Sequence, residues 1–393
     1  MEKKNQVPKY PLLRFPEFTD EWKEVKLGEV AEINPRTDNL EEEFVYVDLD
    51  AVEKGTLLRK KPMKKENAPS RAQRVLKHND ILFQSVRSYQ MNHFLYQVSD
   101  ENQWVASTGY AQIRAFGDPS FLYYTLYTPS FNTEVSDRST GSNYPAINQD
   151  ELRRIPLRLP SLAEQKKIAA LLSLIDERIE VQNAIIKERE AQKAALLRRL
   201  FDRTLRFPEF TDEWKEYQNS EVFEIISEKN TDLRDSNVVS ASMNYGVVLR
   251  DEIGVDIKYE QESIRGYKVV RDGDYIVHLR SFQGGFAFSR LNGICSPAYT
   301  ILRPRSNMLE YGFLESYFCS SRFITSLKRV TYGIRDGRSI SVEEWMSEKT
   351  SLPTLAEQKK IAALLSAIDE RIAVEKEYAA LLQKQKAYLL RQM

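Results

Sequence analysis

The chain has 393 residues, with 57 basic and 57 acidic side chains and 42% hydrophobic residues. This length predicts two or three domains with ordinary packed cores. No apolar run approaches the ~20 residues of a membrane span, and the first residues lack a signal-peptide core, so we expect a cytoplasmic protein. Two cysteines, Cys295 and Cys319, and three scattered histidines predict neither a disulfide framework nor a metal site.

Two segments of the chain each occur twice. LRFPEFTDEWKE at Leu13–Glu24 recurs letter for letter at Leu205–Glu216, and Leu162–Val181 recurs at Leu355–Val374 with two differences. The chain therefore consists of two units of about 190 residues, each opening on the first repeat and closing on the second. Two copies are too few for a solenoid and indicate a pseudo-twofold molecule.

The second repeat is predicted to be a long helix. Ser161 and Glu164 have the spacing of a capping box, and Thr354 and Glu357 repeat it. Apolar residues follow at intervals of four, three and four, which places them on one stripe of a helix. The first copy continues to Leu200 without glycine or proline, so we expect a rod of about 40 residues and roughly 60 Å.

A helix of this length cannot bury its own apolar stripe, so the two helices are predicted to pair with each other. The alternative is that each helix packs only on the body that precedes it. That alternative does not explain why the helices are nearly identical while the bodies differ.

The bodies between the repeats are predicted to be β-rich, giving an α+β protein of two tandem domains. Alternating, β-branched or aromatic residues predict strands at Phe44–Asp50, Asp80–Val86, Tyr110–Phe116, Asp274–Phe282 and Ala298–Pro304. Short helices are predicted within Ser120–Thr128 and Gly312–Arg329. The predicted domains are a first body, a central helix, a second body and a second helix, at residues 1–159, 160–203, 204–352 and 353–393.

Basic residues concentrate in two places. Between Lys54 and Arg87 ten basic residues face only Glu66 and Asp80, a local balance of +8, and a smaller cluster covers residues 322–338. Such clusters suit phosphate contacts, although a solvated surface is the alternative interpretation. Polar loops accompany them, and arginine with glutamine or asparagine can read base edges. The candidate DNA contacts are Arg59, Lys60, Lys61, Arg87, Tyr89, Gln90, Ser142, Asn143 and Tyr144 in the first body and Arg280, Gln283, Arg335 and Arg338 in the second.

The helix LAEQKKIAALLSLIDERI, present twice and closing two different bodies, resembles the specificity subunit of type I restriction–modification systems. EWKEVKLGEVAEI at Glu21–Ile33 is similar to that family's opening of a target-recognition domain. NDILFQSVRS and GDYIVHLRSF are similar to its recurring Gly/Asn-Asp-strand element. One departure is that Leu27-Gly28-Glu29-Val30 corresponds to Asn219-Ser220-Glu221-Val222, which lacks the glycine.

The resemblance implies two target-recognition domains, each reading one half of an asymmetric, bipartite double-stranded DNA target. The two helices would form an antiparallel coiled coil that sets the distance between the half-sites. Two modification subunits with S-adenosylmethionine would methylate adenine, and restriction subunits would supply translocase and nuclease with ATP and Mg. No cofactor is implied for this chain. Docking of the modification subunits is expected on exposed parts of the repeated helices, including Glu164, Gln165, Lys166, Glu357, Gln358 and Lys359.

Catalytic motifs are missing from the sequence. The nearest approach to an Asn/Asp-Pro-Pro-aromatic methyltransferase motif is Asn34-Pro35-Arg36, and no Walker A sequence exists. Glu21-Trp22-Lys23 matches half of a nuclease signature, but Phe15, Phe18 and Trp22 are better explained as packing residues of a junction. We therefore predict a non-catalytic DNA-recognition subunit.

Two other functions remain open at this point. One is a scaffold whose helices only oligomerise, which the basic and polar loops argue against. The other is a DNA-recognition subunit of a stand-alone methylation system without a nuclease.

Overall fold

A computed structural model of the chain describes residues 11, 13–242, 246–253, 263–277, 285–332 and 339–393. The chain divides into two compact units. Unit 1 comprises Met1–Asn183 and Glu377–Met393, and unit 2 comprises Ala184–Lys376. Each of the two long helices is therefore divided between the units.

Unit 1 contains two four-stranded sheets, ordered β6-β3-β10-β7 and β2-β11-β8-β9. β3 and β10 are parallel, and the other neighbours in these sheets are antiparallel. β1 pairs with β12, and β4 pairs with β5. The strands are β1 (Lys23–Lys26), β2 (Ala31–Ile33), β3 (Glu43–Val47), β4 (Val52–Glu53), β5 (Thr56–Leu57), β6 (Pro62–Lys64), β7 (Ala72–Val75), β8 (Ile81–Gln84), β9 (Phe94–Leu95), β10 (Trp104–Ser107), β11 (Tyr110–Ala115) and β12 (Pro156–Leu159).

The helices of unit 1 pack on the β2-β11-β8-β9 sheet through one apolar cluster that includes Phe83, Leu122 and Phe131. Asp118 and Thr128 cap two of these helices by accepting from backbone N–H groups three residues on, and each is followed by proline. Cap and proline together fix where these helices begin. The helices are α1 (Leu27–Val30), α2 (Pro119–Thr125), α3 (Pro129–Arg138), α4 (Gln149–Arg153), the first part of α5 (Leu162–Phe201) and the last part of α10 (Leu355–Gln392).

Unit 2 repeats part of this plan. Its β14-β21-β18-β19 sheet has the connection order of β2-β11-β8-β9, and its β13–β24 pair corresponds to β1–β12. Its strands are β13 (Lys215–Gln218), β14 (Phe223–Ile226), β15 (Val239–Ser242), β16 (Gly246–Leu249), β17 (Lys268–Val270), β18 (Tyr275–Val277), β19 (Phe286–Phe288), β20 (Gly293–Cys295), β21 (Thr300–Pro304), β22 (Thr331–Tyr332), β23 (Ser339–Ile340) and β24 (Lys349–Leu352). Its helices are the last part of α5, α6 (Asn219–Val222), α7 (Glu315–Phe318), α8 (Ser321–Ser326), α9 (Val342–Ser347) and the first part of α10.

The predicted α+β architecture, with a long helix after each β-rich body, is confirmed. The short helices predicted within Gly312–Arg329 are confirmed. They are α7 and α8, and the Ser320 side chain accepts from the Phe323 N–H at the start of α8. The second body forms α6 at the position of α1 although Ser220 replaces the glycine, and the buried Asn219 amide donates to the Trp345 carbonyl at 2.8 Å.

An aspartate at the start of an equivalent strand is buried in each unit. Asp80 accepts two hydrogen bonds from Arg114 at 2.8 Å, and Asp274 accepts two from Arg303 at the same distance. The preceding residue, Asn79 or Gly273, has a positive φ of 72° or 92°, a conformation that asparagine and glycine tolerate best. This turn geometry explains why the recurring element begins with Asn-Asp or Gly-Asp.

The two long helices run antiparallel within each unit. In unit 1, Asp176 of α5 bonds to Lys386 of α10 at 2.6 Å, and Arg178 of α5 donates to the Tyr378 hydroxyl of α10. In unit 2, Lys193 contacts Asp369 at 2.6 Å, while Glu190 contacts Lys376 at 2.6 Å. Residue numbers fall along one helix as they rise along the other. The predicted antiparallel pairing is therefore confirmed within both units.

The first repeat binds the beginning of the second repeat, and we call this contact the repeat junction. In unit 1, Arg14 donates two hydrogen bonds at 2.7 Å to the fully buried carboxylate of Glu164, and the Trp22 indole N–H donates to the same group at 3.3 Å. Lys167 pairs with Glu17 and lies 4.6 Å from the centre of the Phe15 ring.

Unit 2 reproduces the repeat junction. Arg206 donates to both carboxylate oxygens of Glu357, at 3.0 and 2.7 Å. Lys360 pairs with Glu209 and lies 4.8 Å from the centre of the Phe207 ring. The first repeat is thus a packing element, as predicted, and it also forms ion pairs with the second repeat, which were not predicted.

A buried histidine packs beneath the loop that follows β8. His93 stacks on Phe83 with ring centres 4.5 Å apart, and its Nδ1 accepts from the Gln84 backbone N–H at 3.1 Å. Burial lowers the pKa of His93 to about 3. The ring is therefore neutral near pH 7 and can accept this bond.

Arg14→Ala should destabilise unit 1 by about 3 kcal/mol, because it leaves the Glu164 carboxylate buried without its main counter-charge. Arg206→Ala should do the same to unit 2. Scanning calorimetry of the full chain should show each transition lowered by about 10 °C, while the exposed neighbour Lys166→Ala changes neither. A shift below about 2 °C for both arginine variants would refute the importance of the repeat junction.

His93 should make unit 1 less stable in acid. Its folded pKa lies below the unfolded value of about 6.5, so the unfolded state binds more protons between these values and stability falls as pH decreases. Between pH 7.5 and 5 this amounts to about 2 kcal/mol. In urea unfolding, the stability advantage of the wild type over His93→Asn should shrink by that amount. A constant difference between the two proteins would contradict a buried neutral ring.

Candidate functional site

Two polar loops of unit 1 lie against each other, residues 85–92 and 140–146, and we call them the loop cluster. The Arg87 N–H donates to the Pro145 carbonyl at 2.8 Å, and the Ile147 N–H donates to the Ser85 carbonyl at 3.0 Å. The Arg87 guanidinium lies 4.5 Å from the centre of the Tyr144 ring. The structure therefore joins two predicted loops that are about 50 residues apart in sequence.

The loop cluster exposes many of the side chains predicted to contact DNA. Tyr89 and Tyr144 are 63% and 60% exposed. Gln90, Ser142 and Asn143 are also exposed. A surface that combines a guanidinium, amides and aromatic rings can donate hydrogen bonds to base edges and stack on bases.

The backbone of residues 85–92 is held in an uncommon conformation. Arg87 and Met91 have positive φ values of 55° and 51°, on either side of a single helical turn at Ser88–Gln90. Non-glycine residues adopt this conformation at some energetic cost. Surrounding hydrogen bonds hold the turn, since the buried Gln84 side chain donates to Gln90 Oε1 at 2.8 Å and accepts from the Asn92 N–H at 3.1 Å.

Gln84 was missed by the sequence reasoning. It ends the apolar strand Ile81-Leu82-Phe83-Gln84, where a glutamine would ordinarily lie at a surface, yet it is 1% exposed. The feature visible in the sequence is a glutamine that directly follows the apolar residues Ile81-Leu82-Phe83 and precedes a polar loop. Such an amide must find hydrogen-bond partners.

The basic segment carries less excess charge than its sequence suggests. Arg59 and Lys61 each lie 3.4 Å from Asp48, and Lys60 lies 3.0 Å from Asp100. Hydrogen bonds from Trp104 and Lys60 lower the pKa of Asp100 to about 2. The balance of +8 therefore counted too few acids, because these carboxylates lie outside the counted stretch. The three basic side chains remain exposed candidates for phosphate contact.

The candidates in the second body, Arg280, Gln283, Arg335 and Arg338, lie outside the described residues. Three other basic residues of that cluster are described and exposed, namely Arg322, Lys328 and Arg329. Arg322 pairs with Asp202.

The expectation of exposure for the helix-docking residues is wrong in four of six cases. Glu164 and Glu357 are buried in the repeat junctions. Gln165 and Gln358 are buried because each amide donates to the carbonyl of the proline before its helix, at 3.0 Å. Ser161 and Thr354 cap the helices as predicted, but the glutamates three residues on bind arginines of the first repeat. The exposed pair is Lys166 and Lys359.

An apolar position of the repeated helices is exposed in both copies. Val181 and Val374 occupy equivalent places in the second repeat, and each is 59% exposed. These two valines were not among the residues predicted from the sequence, which lie on the buried stripe or near the start of each helix. A valine that lies off that stripe in both copies was the available signal.

Within the described ranges, no group of histidine, cysteine and carboxylate side chains could hold a metal ion. The same part of the chain contains no helix long and apolar enough to cross a membrane.

A family model for the type I restriction modification DNA specificity domain matches residues 19–191 and again residues 211–384. The type I restriction enzyme MjaVIII specificity subunit of Methanocaldococcus jannaschii is 24% identical over 298 residues, covering 70% of this chain and 68% of that protein. The HindI specificity subunit of Haemophilus influenzae is 25% identical over 189 residues, covering 46% of this chain and only 41% of that protein.

A chain in a solved structure on complex assembly and conformational transition of the type I R-M system shares the fold. Its TM-score is 0.59 at 23% identity, over 95% of this chain and 97% of its own length. The family model covers most of the chain in two tandem matches. This chain therefore belongs to the type I restriction modification DNA specificity domain family.

Proposed function

We propose that this chain is the DNA-recognition subunit of a type I restriction–modification complex and catalyses no reaction itself. The observation that carries the proposal is the family match repeated over residues 19–191 and 211–384. Each match spans a β-rich body and most of the long helix that follows it. Since the two bodies differ in sequence, the target is a bipartite and asymmetric stretch of double-stranded DNA.

In the first body the loop cluster would contact bases. Arg87 and Gln90 offer hydrogen-bond donors, and the exposed rings of Tyr89 and Tyr144 offer stacking surfaces. Arg59, Lys60 and Lys61 would exchange their carboxylate partners for phosphates, with Ser142 and Asn143 supplying further polar contacts. In the second body the corresponding candidates are Arg280, Gln283, Arg335 and Arg338.

The paired helices would set the separation of the two half-sites. α5 has 40 residues and α10 has 38, so α5 is roughly 60 Å long. A rigid spacer makes the gap between half-sites a structural constant, as dimer geometry does for repressors. The proposed division of labour is recognition by residues 1–159 and 204–352 and spacing by residues 160–203 and 353–393.

The partners would be two modification subunits, which bind S-adenosylmethionine and methylate adenine, and restriction subunits, which use ATP and Mg. This chain would need no cofactor. The repeated helices would dock one modification subunit each, through Lys166 and Val181 on one copy and Lys359 and Val374 on the other. Equivalent residues on equivalent helices explain how one kind of partner could bind twice.

Cells expressing this chain with its modification subunit should contain a split, asymmetric, adenine-methylated motif that is absent without the chain. Arg87→Ala should alter one half of that motif, because a lost base contact relaxes specificity locally. Arg59→Ala is the contrasting variant and should reduce methylation without changing the sequence, as expected for a phosphate contact. Sequencing of methylated bases across the genome measures all three.

Three outcomes would contradict parts of the proposal. A motif unchanged in both halves by Arg87→Ala would exclude the loop cluster as the base-reading surface. The absence of any motif, although the subunits assemble, would favour the scaffold. A motif without restriction activity would favour a stand-alone methylation system.

Val181→Glu should remove one of two modification subunits, and Val181→Glu with Val374→Glu should remove both. The change places a charge in an apolar contact while altering the stability of the chain by less than about 0.5 kcal/mol, because both side chains are exposed. Mass measurement of the co-purified complex gives the stoichiometry. Glu180→Gln is the adjacent control, and two bound subunits in the double variant would refute this docking surface.

A further inference from the structure

We propose that Gln84, a residue buried beneath the loop cluster, selects the base that Gln90 reads, and that this base is guanine. The inference rests on the proposed function of the loop cluster as a DNA-reading surface. It concerns the direction of one amide group, because a glutamine can present either its oxygen or its NH2 group to a base.

The direction of the Gln84 amide is set by the backbone. The Asn92 N–H lies 3.1 Å from the Gln84 side-chain amide, and a backbone N–H can only donate. The Gln84 oxygen must therefore face Asn92. Its NH2 group must then face Gln90, at 2.8 Å.

Gln84 itself has little freedom to turn. It is 1% exposed, and its own backbone N–H donates to His93 Nδ1 at 3.1 Å. The Asn92 side chain in turn accepts from the Lys54 N–H at 3.0 Å, which fixes the residue from the other side. Reversing the Gln84 amide would place an N–H against an N–H and leave a buried donor without an acceptor.

The fixed orientation of the Gln84 amide also fixes the orientation of the Gln90 amide. Because an NH2 group of Gln84 points at it, the Gln90 atom in this contact must be the acceptor oxygen. Within the described part of the chain, the NH2 group of Gln90 has no hydrogen-bond partner, and the residue is exposed. Gln90 thus presents a donor.

The outward-facing NH2 group of Gln90 decides which base this residue can read. Adenine is read by glutamine through one donor and one acceptor atom, whereas guanine offers two acceptors, N7 and O6, in the major groove. The Gln90 oxygen is held by Gln84, and the neighbouring Arg87 supplies only donors. A pair of donors on one turn favours guanine over adenine. Gln84 is therefore a positioning residue for specificity that does not contact DNA.

The test is selection of preferred sequences from a pool of randomised duplexes by the full chain assembled with its modification subunits. The wild type should select guanine at one position of one half-site. Gln90→Glu keeps an acceptor towards Gln84 and presents a second acceptor outwards. It should replace that guanine by cytosine or adenine, whose amino groups donate, and should weaken binding to the wild-type site by roughly 5- to 150-fold.

Gln84→Met removes both amide bonds at similar volume, so guanine and adenine should become nearly equal at the same position while all other positions stay unchanged. Gln97→Met is the matched control, because Gln97 is an exposed glutamine of the same unit whose NH2 group donates to Asn79 at 3.1 Å. It should leave the selected sequence unchanged.

Each outcome is decisive. If the wild type selects no sequence, the proposed function itself fails. If the wild type selects a sequence that Gln90→Glu leaves unchanged, or that it degrades equally at every position, the inference about Gln84 is overturned. Because Gln90 is exposed, this variant keeps the test valid even if Gln84→Met reduces folding.

Discussion

The ion pair between a first-repeat arginine and a buried helix glutamate is the interaction on which the rest of the structure depends. Glu164 and Glu357 have no access to water, so their charges require Arg14 and Arg206. This pairing fixes the first turn of each long helix on its own body. The fixed first turn then determines where the later turns of the helix lie on that body.

The repeat junction also changes the explanation for the duplicated sequence. Under the proposed function, binding the same kind of partner twice is one reason for two nearly identical helices. The structure supplies a second reason that applies to their first turns, because the first repeat and the second repeat bind each other in both units. Docking of a partner, as proposed, would then explain the similarity only at exposed positions of the helices. Val181 and Val374 are apolar examples of such positions.

Sequence predicted those features that local rules determine. An uninterrupted apolar stripe predicted the long helices and their pairing, and alternation predicted the central strands around Phe83 and Ile113. Features that depend on distant residues were not predictable in this way. Asp48 neutralises basic residues 11 and 13 positions away, and Glu164 is buried by an arginine 150 positions away. Neither contact has a periodic signal, so composition alone overestimated both the free charge and the exposed helix surface.

The division of α10 between the units has a consequence for the order in which the protein can fold during synthesis. The apolar cluster of unit 1 includes Leu172 and Leu390, and Leu389 packs against it. Translation produces these α10 residues only after all of unit 2, which is one continuous segment. Unit 1 is therefore the first body to be synthesised on the ribosome but the last to complete its apolar core. Until then, Leu172 stays available to chaperones or to other nascent chains.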